Sequence, residues 1–279
     1  MSEFHQLKPV GQKLSFGAYI KDLWKRRFFM MSFARARVEG QNSSAALGQL
    51  WLLLTPLLTA AVYYLLFGVI LGVSRGIENF IAFLVIGVMM FRFTSNSANA
   101  GAISIISNKG LIRSLHFPRA LLPISASLQQ FLQFLPSLIV VLIAVIATGE
   151  PIRFTWILII PIILIQFVFN TGIALLLARV VNRTRDLAKL SPFLIRMWGY
   201  LSGIFFSIEL SKERFPELIE PFLSYNPAHI FMQLTRSIFI ESIDSSMQDW
   251  LWGIGWAMAV FLLGFYFFFK GEGKYGRDQ

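Results

Sequence analysis

Residues 77–105 read IENFIAFLVIGVMMFRFTSNSANAGAISI, with Arg92 the only charge beyond Glu78. A hydrocarbon core about 30 Å thick is crossed by roughly 20 apolar helical residues, and this stretch exceeds that length. Five further stretches are of the same kind: Leu47–Leu71, Leu121–Ala147, Phe154–Ala178, Leu190–Ile208 and Trp250–Phe269. The chain is 56% hydrophobic and 14% charged, with a mean hydropathy of +0.63, whereas a soluble domain carries about a quarter charged residues. These spans predict an all-α integral membrane protein of six transmembrane helices. An amphipathic interfacial helix is expected before the first span, and short exterior re-entrant helices between the fifth and sixth.

The quoted stretch has two halves. Ile77–Phe91 is apolar, whereas Thr94–Ser104 is small and polar. The second half is expected to face another helix or a wet cavity, because small residues let backbones approach and hydroxyls bond across helices. Arg92 lies about 15 residues from either end, near the bilayer centre at about 1.5 Å per residue. An arginine there costs at least roughly 2.5–3.5 kcal/mol. It is therefore read as contacting a substrate or anionic headgroup, or as bonding helix-end carbonyls. Arg196 is near enough to the end of its span to snorkel.

Cations cluster in alternate gaps: Lys8, Lys13, Lys21, Lys25, Arg26, Arg27, Arg35 and Arg37 before the first span; Lys109, Arg113 and Arg119 after the second; Arg179, Arg183, Arg185 and Lys189 after the fourth; Lys270, Lys274 and Arg277 at the end. The other gaps hold only Arg75, Arg153, Lys212, Arg214 and Arg236. The positive-inside rule then places both termini in the cytoplasm. The net charge of +10 reads as an orientation signal, and no nucleic-acid partner is expected.

Residues 1–16 read as a cytoplasmic tail without a cleavable leader, and 17–46 as an amphipathic helix and linker. From Ala18 to Met31, Ile20, Leu23, Trp24, Phe28 and Met31 recur at helical spacing, with Lys21, Asp22, Lys25 and Arg26 opposite. That pattern suits a headgroup layer, or packing on protein. The transmembrane domain covers 47–269, its first span expected to kink at Pro56. It includes a cytoplasmic loop at 107–120 and an acidic exterior lid at 209–249. In that lid, Ser211–Leu223 and Ala228–Ile240 are amphipathic, and Tyr225-Asn226-Pro227 reads as a turn. Residues 270–279 form a second cytoplasmic tail.

Several chemistries are excluded. There is no Cys, and His5, His116 and His229 are far apart without a carboxylate pattern, so no metal site is expected. No Gly-x-x-x-x-Gly-Lys-Ser/Thr occurs; Gly271-Glu272-Gly273-Lys274 lacks the spacing to cradle ATP phosphates. The spans hold no carboxylate pair for a proton relay and no inverted repeat of broken helices. Glu209 and Glu213 share a helical face, which a solvated exterior helix explains more simply than glycosyl transfer. No catalytic residue is assigned.

Four local patterns occur in order. They are Leu47-Gly48-Gln49-Leu50-Trp51 with Pro56 and Tyr64-Leu65-Leu66-Phe67-Gly68; Asn108-Lys109-Gly110-Leu111-Ile112 with Phe117-Pro118-Arg119 and Leu122-Pro123; Arg185-Asp186 with Leu201-Ser202; and Asn226-Pro227 with Arg236. Together they resemble the permease subunit of type 2 ABC exporters that move polysaccharides, the class of O-antigen, capsule and teichoic acid exporters. Ser202-Gly203 stands where that family often has Ser-Pro, so the helix geometry there is expected to differ.

The resemblance implies a homodimer with two copies of a separate ATP-binding subunit, which would carry ATP and Mg; this chain itself would bind no cofactor. The implied cargo is a polyprenyl-pyrophosphate-linked glycan, moved outward through the lipid of a bacterial inner (plasma) membrane. Asn108, Lys109, Leu111, Ile112, Arg113, Phe117, Pro118 and Arg119 would couple to the ATPase, with Arg185 and Asp186 alongside. Sugars stack their C–H faces on aromatic rings and exchange hydrogen bonds with polar side chains. Trp51, Tyr63, Tyr64, Phe91, Arg92, Phe93, Ser95, Asn96, Asn99, Trp198 and Tyr200 are the candidate pathway residues. A permease for a drug or small lipid, and an ATPase-independent secondary transporter or scramblase, remain open alternatives.

Overall fold

A computed structural model describes residues 15–41, 46–70, 76–208, 216 and 219–275. The expected tail before residue 15, the exterior stretch holding Glu209, Glu213 and Glu217, and residues 276–279 lie outside the described residues. Regular structure among those described is entirely helical: α1 (Phe16–Lys25), α2 (Arg27–Gln41), α3 (Trp51–Tyr63), α4 (Phe80–Ile103), α5 (Lys109–Ser114), α6 (Leu121–Ala147), α7 (Ile159–Arg183), α8 (Leu187–Tyr200), α9 (Glu220–Ser224), α10 (Pro227–Phe239) and α11 (Met247–Lys270). α3 runs through Pro56 and continues as a π-helix over Tyr64–Ile70.

Among the described residues, five helical stretches are long and apolar enough to cross a membrane: Trp51–Ile70, Phe80–Ile103, Leu121–Ala147, Phe154–Arg183 and Met247–Lys270. Their outer faces present Leu58, Val62, Ile139, Ile143, Leu164, Leu262 and Leu263. Apolar side chains facing outward on four of these long stretches suit lipid, where backbone groups must be satisfied within the helix. α4 is the exception, buried along most of its length and packed against α6, α7, α8 and α10.

Helix contacts follow the small residues, as expected where lipid removes any hydrophobic drive between helices. Gly101 of α4 lies directly against Ala174 of α7, and the backbones of Gly172 on α7 and Gly264 on α11 touch. The polar half of α4 therefore faces a helix on one side: Thr94, Ser97 and Ser104 are buried, and Gln166 donates to Met90 O at 3.0 Å and Thr94 Oγ1 at 2.9 Å.

These contacts also give direction. Gly172 meets Phe261 and Arg179 lies over Phe267, so α7 and α11 run parallel. The chain between them must consequently return from one end of the bundle to the other. The expected fifth span, Leu190–Ile208, does this differently from the prediction. It is helical only to Tyr200, and α8 has 14 residues, about 21 Å at 1.5 Å per residue. Beyond it the backbone turns through Gly203 at φ +71°. Proline, fixed near φ −65°, could not stand there.

The N-terminal segment also departs from expectation. It forms two helices rather than one, and α2 reaches Gln41 inside the presumed linker and packs on α6. α10 matches Ala228–Ile240 to within a residue and is amphipathic as expected, but it is buried on nearly every side. Tyr19 bonds Glu272, so the first and last described helices meet at one end of the bundle, together with α5. The opposite end carries Glu78, Glu150, Glu241, Asp244 and Asp249.

Candidate functional site

Along α4, Arg92, Ser95, Asn96 and Asn99 follow helical spacing and escape burial, while Phe91, Phe93, Thr94, Ser97 and Ala98 are buried. Arg92, Asn96 and Asn99 open onto a cavity of about 410 Å³ between α3, α4 and α6, bordered by Gln41 at the end of α2. Its walls are Trp51, Leu52, Thr55 and Pro56 from α3; Met89, Arg92, Phe93, Asn96 and Asn99 from α4; Gln130, Gln133, Phe134 and Ser137 from α6; and Gln41 from α2. Arg92 Nη1 donates to Thr59 Oγ1 at 2.8 Å, a hydroxyl on α3 that carries no charge. No carboxylate stands in this lining. Gln133 donates to Gln41 Oε1, as does Gln129 at 3.4 Å.

A cation without a counter-ion among the described residues, five amides and an aromatic edge suit an anionic, hydroxyl-rich ligand. An arginine fork and amide groups supply directional hydrogen bonds, and a partly dry wall strengthens both.

The pathway candidates divide by position. Trp51, Arg92, Phe93, Asn96 and Asn99 share the cavity. Ser95 is not in the lining, but its carbonyl accepts from Asn99 Nδ2 at 2.9 Å. Phe91 is buried edge-on to Trp198, whose Nε1 donates to Asn226 Oδ1 at 2.9 Å; both belong to the packing of α4 with α8 and α10. Tyr63 packs with Phe67 and Phe205, while Tyr64 and Tyr200 are exposed on other faces.

At the end where α1 and α5 meet, the loop through α5 presents Arg113, Ser114, Leu115 and His116 outward, with Lys109 and Leu111 half-buried and Ile112 and Pro118 buried. Phe117 approaches the Phe29 ring at 6.5 Å. Arg37 Nη2 donates to Asn108 Oδ1 at 2.6 Å, and Arg119 bonds Glu272 through both its backbone and its guanidinium. Arg185 and Asp186 are exposed where α7 turns into α8.

Sequence reasoning assigned no role to two groups that tie the structure together. Arg236 is fully buried, its guanidinium 3.3 Å from the Phe83 ring centre. It donates to Phe83 O at 3.2 Å, Gly203 O at 3.0 Å and Ile204 O at 3.2 Å. It thereby satisfies carbonyls that the broken α8 leaves open, and Gly87 leaves room for it. Asn226 bridges Trp198, Leu201 O and Ser202 Oγ. Their place in the Asn226-Pro227…Arg236 pattern was the available signal. The second group, Tyr19 and Glu272, sits in segments read as interfacial helix and tail, with no motif to mark it.

Comparison with known proteins bears on the whole arrangement. The chain is 28% identical over 199 residues to an "O-antigen export system permease protein RfbA" of Klebsiella pneumoniae, covering 71% of this chain and 74% of that protein. A protein of the same name from Myxococcus xanthus is 26% identical over 222 residues, covering 80% and 84%. The sequence pattern of the ABC-2 type transporter family matches residues 35–240, from α2 through the cavity and the loop around α5 to the end of α10, and the chain belongs to that family of membrane permeases.

Proposed function

We propose that this chain is the membrane-spanning subunit of an ATP-driven exporter that moves a lipid-linked polysaccharide, of O-antigen, galactan or teichoic acid type, out across a bacterial inner membrane. The observation that carries the reading is the cavity around Arg92: a cation near mid-span, ringed by amides and Trp51, with no carboxylate in its lining. Pyrophosphate is attracted by the guanidinium, and sugar hydroxyls exchange hydrogen bonds with Gln130, Gln133, Asn96 and Asn99. The relatives' names supply the cargo class.

In this reading two copies pair, and two separate ATP-binding subunits dock on the loop 108–119, beside Arg185 and Asp186. ATP and Mg sit on those subunits. The end holding α1, α5 and Glu272 faces the cytoplasm, so both termini are cytoplasmic. α8 with the turn after it makes the fifth of six crossings, and α10 is re-entrant from the outer side.

The test is export in cells or vesicles containing the whole complex. Arg92→Ala should lower export at least about tenfold, with Arg92→Lys intermediate because the fork is lost and the charge kept. ATP hydrolysis and recovery of a stoichiometric ATP-binding partner should persist. Unchanged export by a folded Arg92→Ala complex would remove the cavity from the pathway, and recovery of the chain with no nucleotide-binding partner would remove the exporter reading.

A further inference from the structure

The helix that receives the loop after α5 has no cap of its own. Its N-cap residue is Ala120, which has no side-chain acceptor, although the first amides of a helix require acceptors. The amides of Leu121 and Leu122 turn back onto Pro118 O and Arg119 O, while those of Arg119 and Ala120, at the threshold of the helix, find their acceptors far away in the chain. Glu272 Oε1 accepts the Arg119 N–H at 2.9 Å, and the Tyr19 hydroxyl oxygen accepts the Ala120 N–H at 3.1 Å. The same hydroxyl donates to Glu272 Oε2 at 2.7 Å. A carboxylate at a helix N-terminus is also favoured by the helix dipole.

The cap is enclosed. Tyr19 is 1% exposed, its ring against Phe265 and Phe269 of α11. Burial, then the neighbouring Glu272 charge, holds the Tyr19 phenol above its ordinary range, so it remains a donor. Burial pushes the Glu272 carboxyl up as well, opposed by the donors from Tyr19 and Arg119. At its other foot the loop is fixed by Arg37 on Asn108. The segment is thus an arch with an exposed crown and two feet, each foot held by a segment distant in sequence.

We propose that Glu272 and Tyr19 are positioning residues for coupling. They join the root of α6 to α1 and to the end of α11, so that displacement of the crown moves α6 and α11 as one body. A contact made only for stability would not need to connect three elements at the loop's hinge. The proposal rests on the reading of 108–119 as the ATPase-docking loop.

The test uses the complete complex with its ATP-binding partner in lipid nanodiscs or vesicles, and the variants Glu272→Gln and Tyr19→Phe. Amide hydrogen exchange should accelerate roughly tenfold, at Arg119 in Glu272→Gln, where a bond to a charged acceptor is weakened, and at Ala120 in Tyr19→Phe, where the acceptor is lost. ATP hydrolysis should stay within about twofold while export per ATP falls at least about fivefold. Glu272→Asp should recover part of the loss, and the double variant should be no worse than either single one, since both break one network.

Export and hydrolysis falling in parallel, or export per ATP holding while exchange rises, would overturn the proposal. If Glu272→Gln fails to assemble, Tyr19→Phe decides by the same two readouts. Arg113→Glu, on the crown, separates the underlying reading. Retention of the ATPase with full coupling in that variant refutes docking at the loop, whereas a faulty cap assignment appears only as unchanged export per ATP in the Glu272 and Tyr19 variants.

Discussion

Replacing Arg236 with alanine orphans three buried carbonyls at once, those of Phe83, Gly203 and Ile204. Each bond has a charged donor and contributes about 1.5–3 kcal/mol, so the set is worth about 4–9 kcal/mol gross. Against this, removing the cation recovers the cost of holding it within the bundle, at least about 2.5–3.5 kcal/mol on insertion scales. The difference leaves a net loss of about 1–6 kcal/mol. Since ring contact and cavity terms both add to the loss, the sign does not depend on the choice within these ranges. Thermal unfolding of the purified protein in detergent should show a midpoint lowered by roughly 5–15 °C. Arg236→Lys should fall between, because an ammonium is a point charge and cannot span two successive carbonyls as the fork does. A midpoint for Arg236→Ala within about 1 °C of the parent would refute the view that this side chain holds the turn after α8.

Two further substitutions probe the same architecture. Gly264→Val places a side chain against the Gly172 carbonyl and should separate α7 from α11, costing about 1–3 kcal/mol or more by overpacking; disulfide trapping between cysteines introduced on the two helices should weaken in parallel. Gly203→Ala keeps the turn but forces an alanine to φ +71° and should cost about 1–2 kcal/mol, read as a smaller shift of the same melting midpoint than Arg236→Ala gives.

What the sequence determined by itself is the part of the structure governed by lipid. A helix that crosses a bilayer satisfies its backbone internally and faces apolar tails, so its signal is a continuous apolar run. Five such runs appear within a few residues of where they were expected. The stripe of Arg92, Asn96 and Asn99 was legible for a related reason: at 3.6 residues per turn these positions share one face, whatever that face touches. The tertiary structure alone decided where the exception lies. Leu190–Ile208 is apolar enough to read as a span, yet its helix stops at Tyr200 because Arg236 and Asn226, far along the chain, supply the hydrogen bonds that a broken helix lacks. Likewise, Thr94 and Asn96 are both small polar residues two positions apart, but one meets α7 and the other a cavity, a choice made by the placement of α7 and α3. Tyr19 and Glu272 carry no local pattern at all; they act together only because α1 and the end of α11 pack at the root of α6, and the free energy of that contact resides in a burial no single segment possesses.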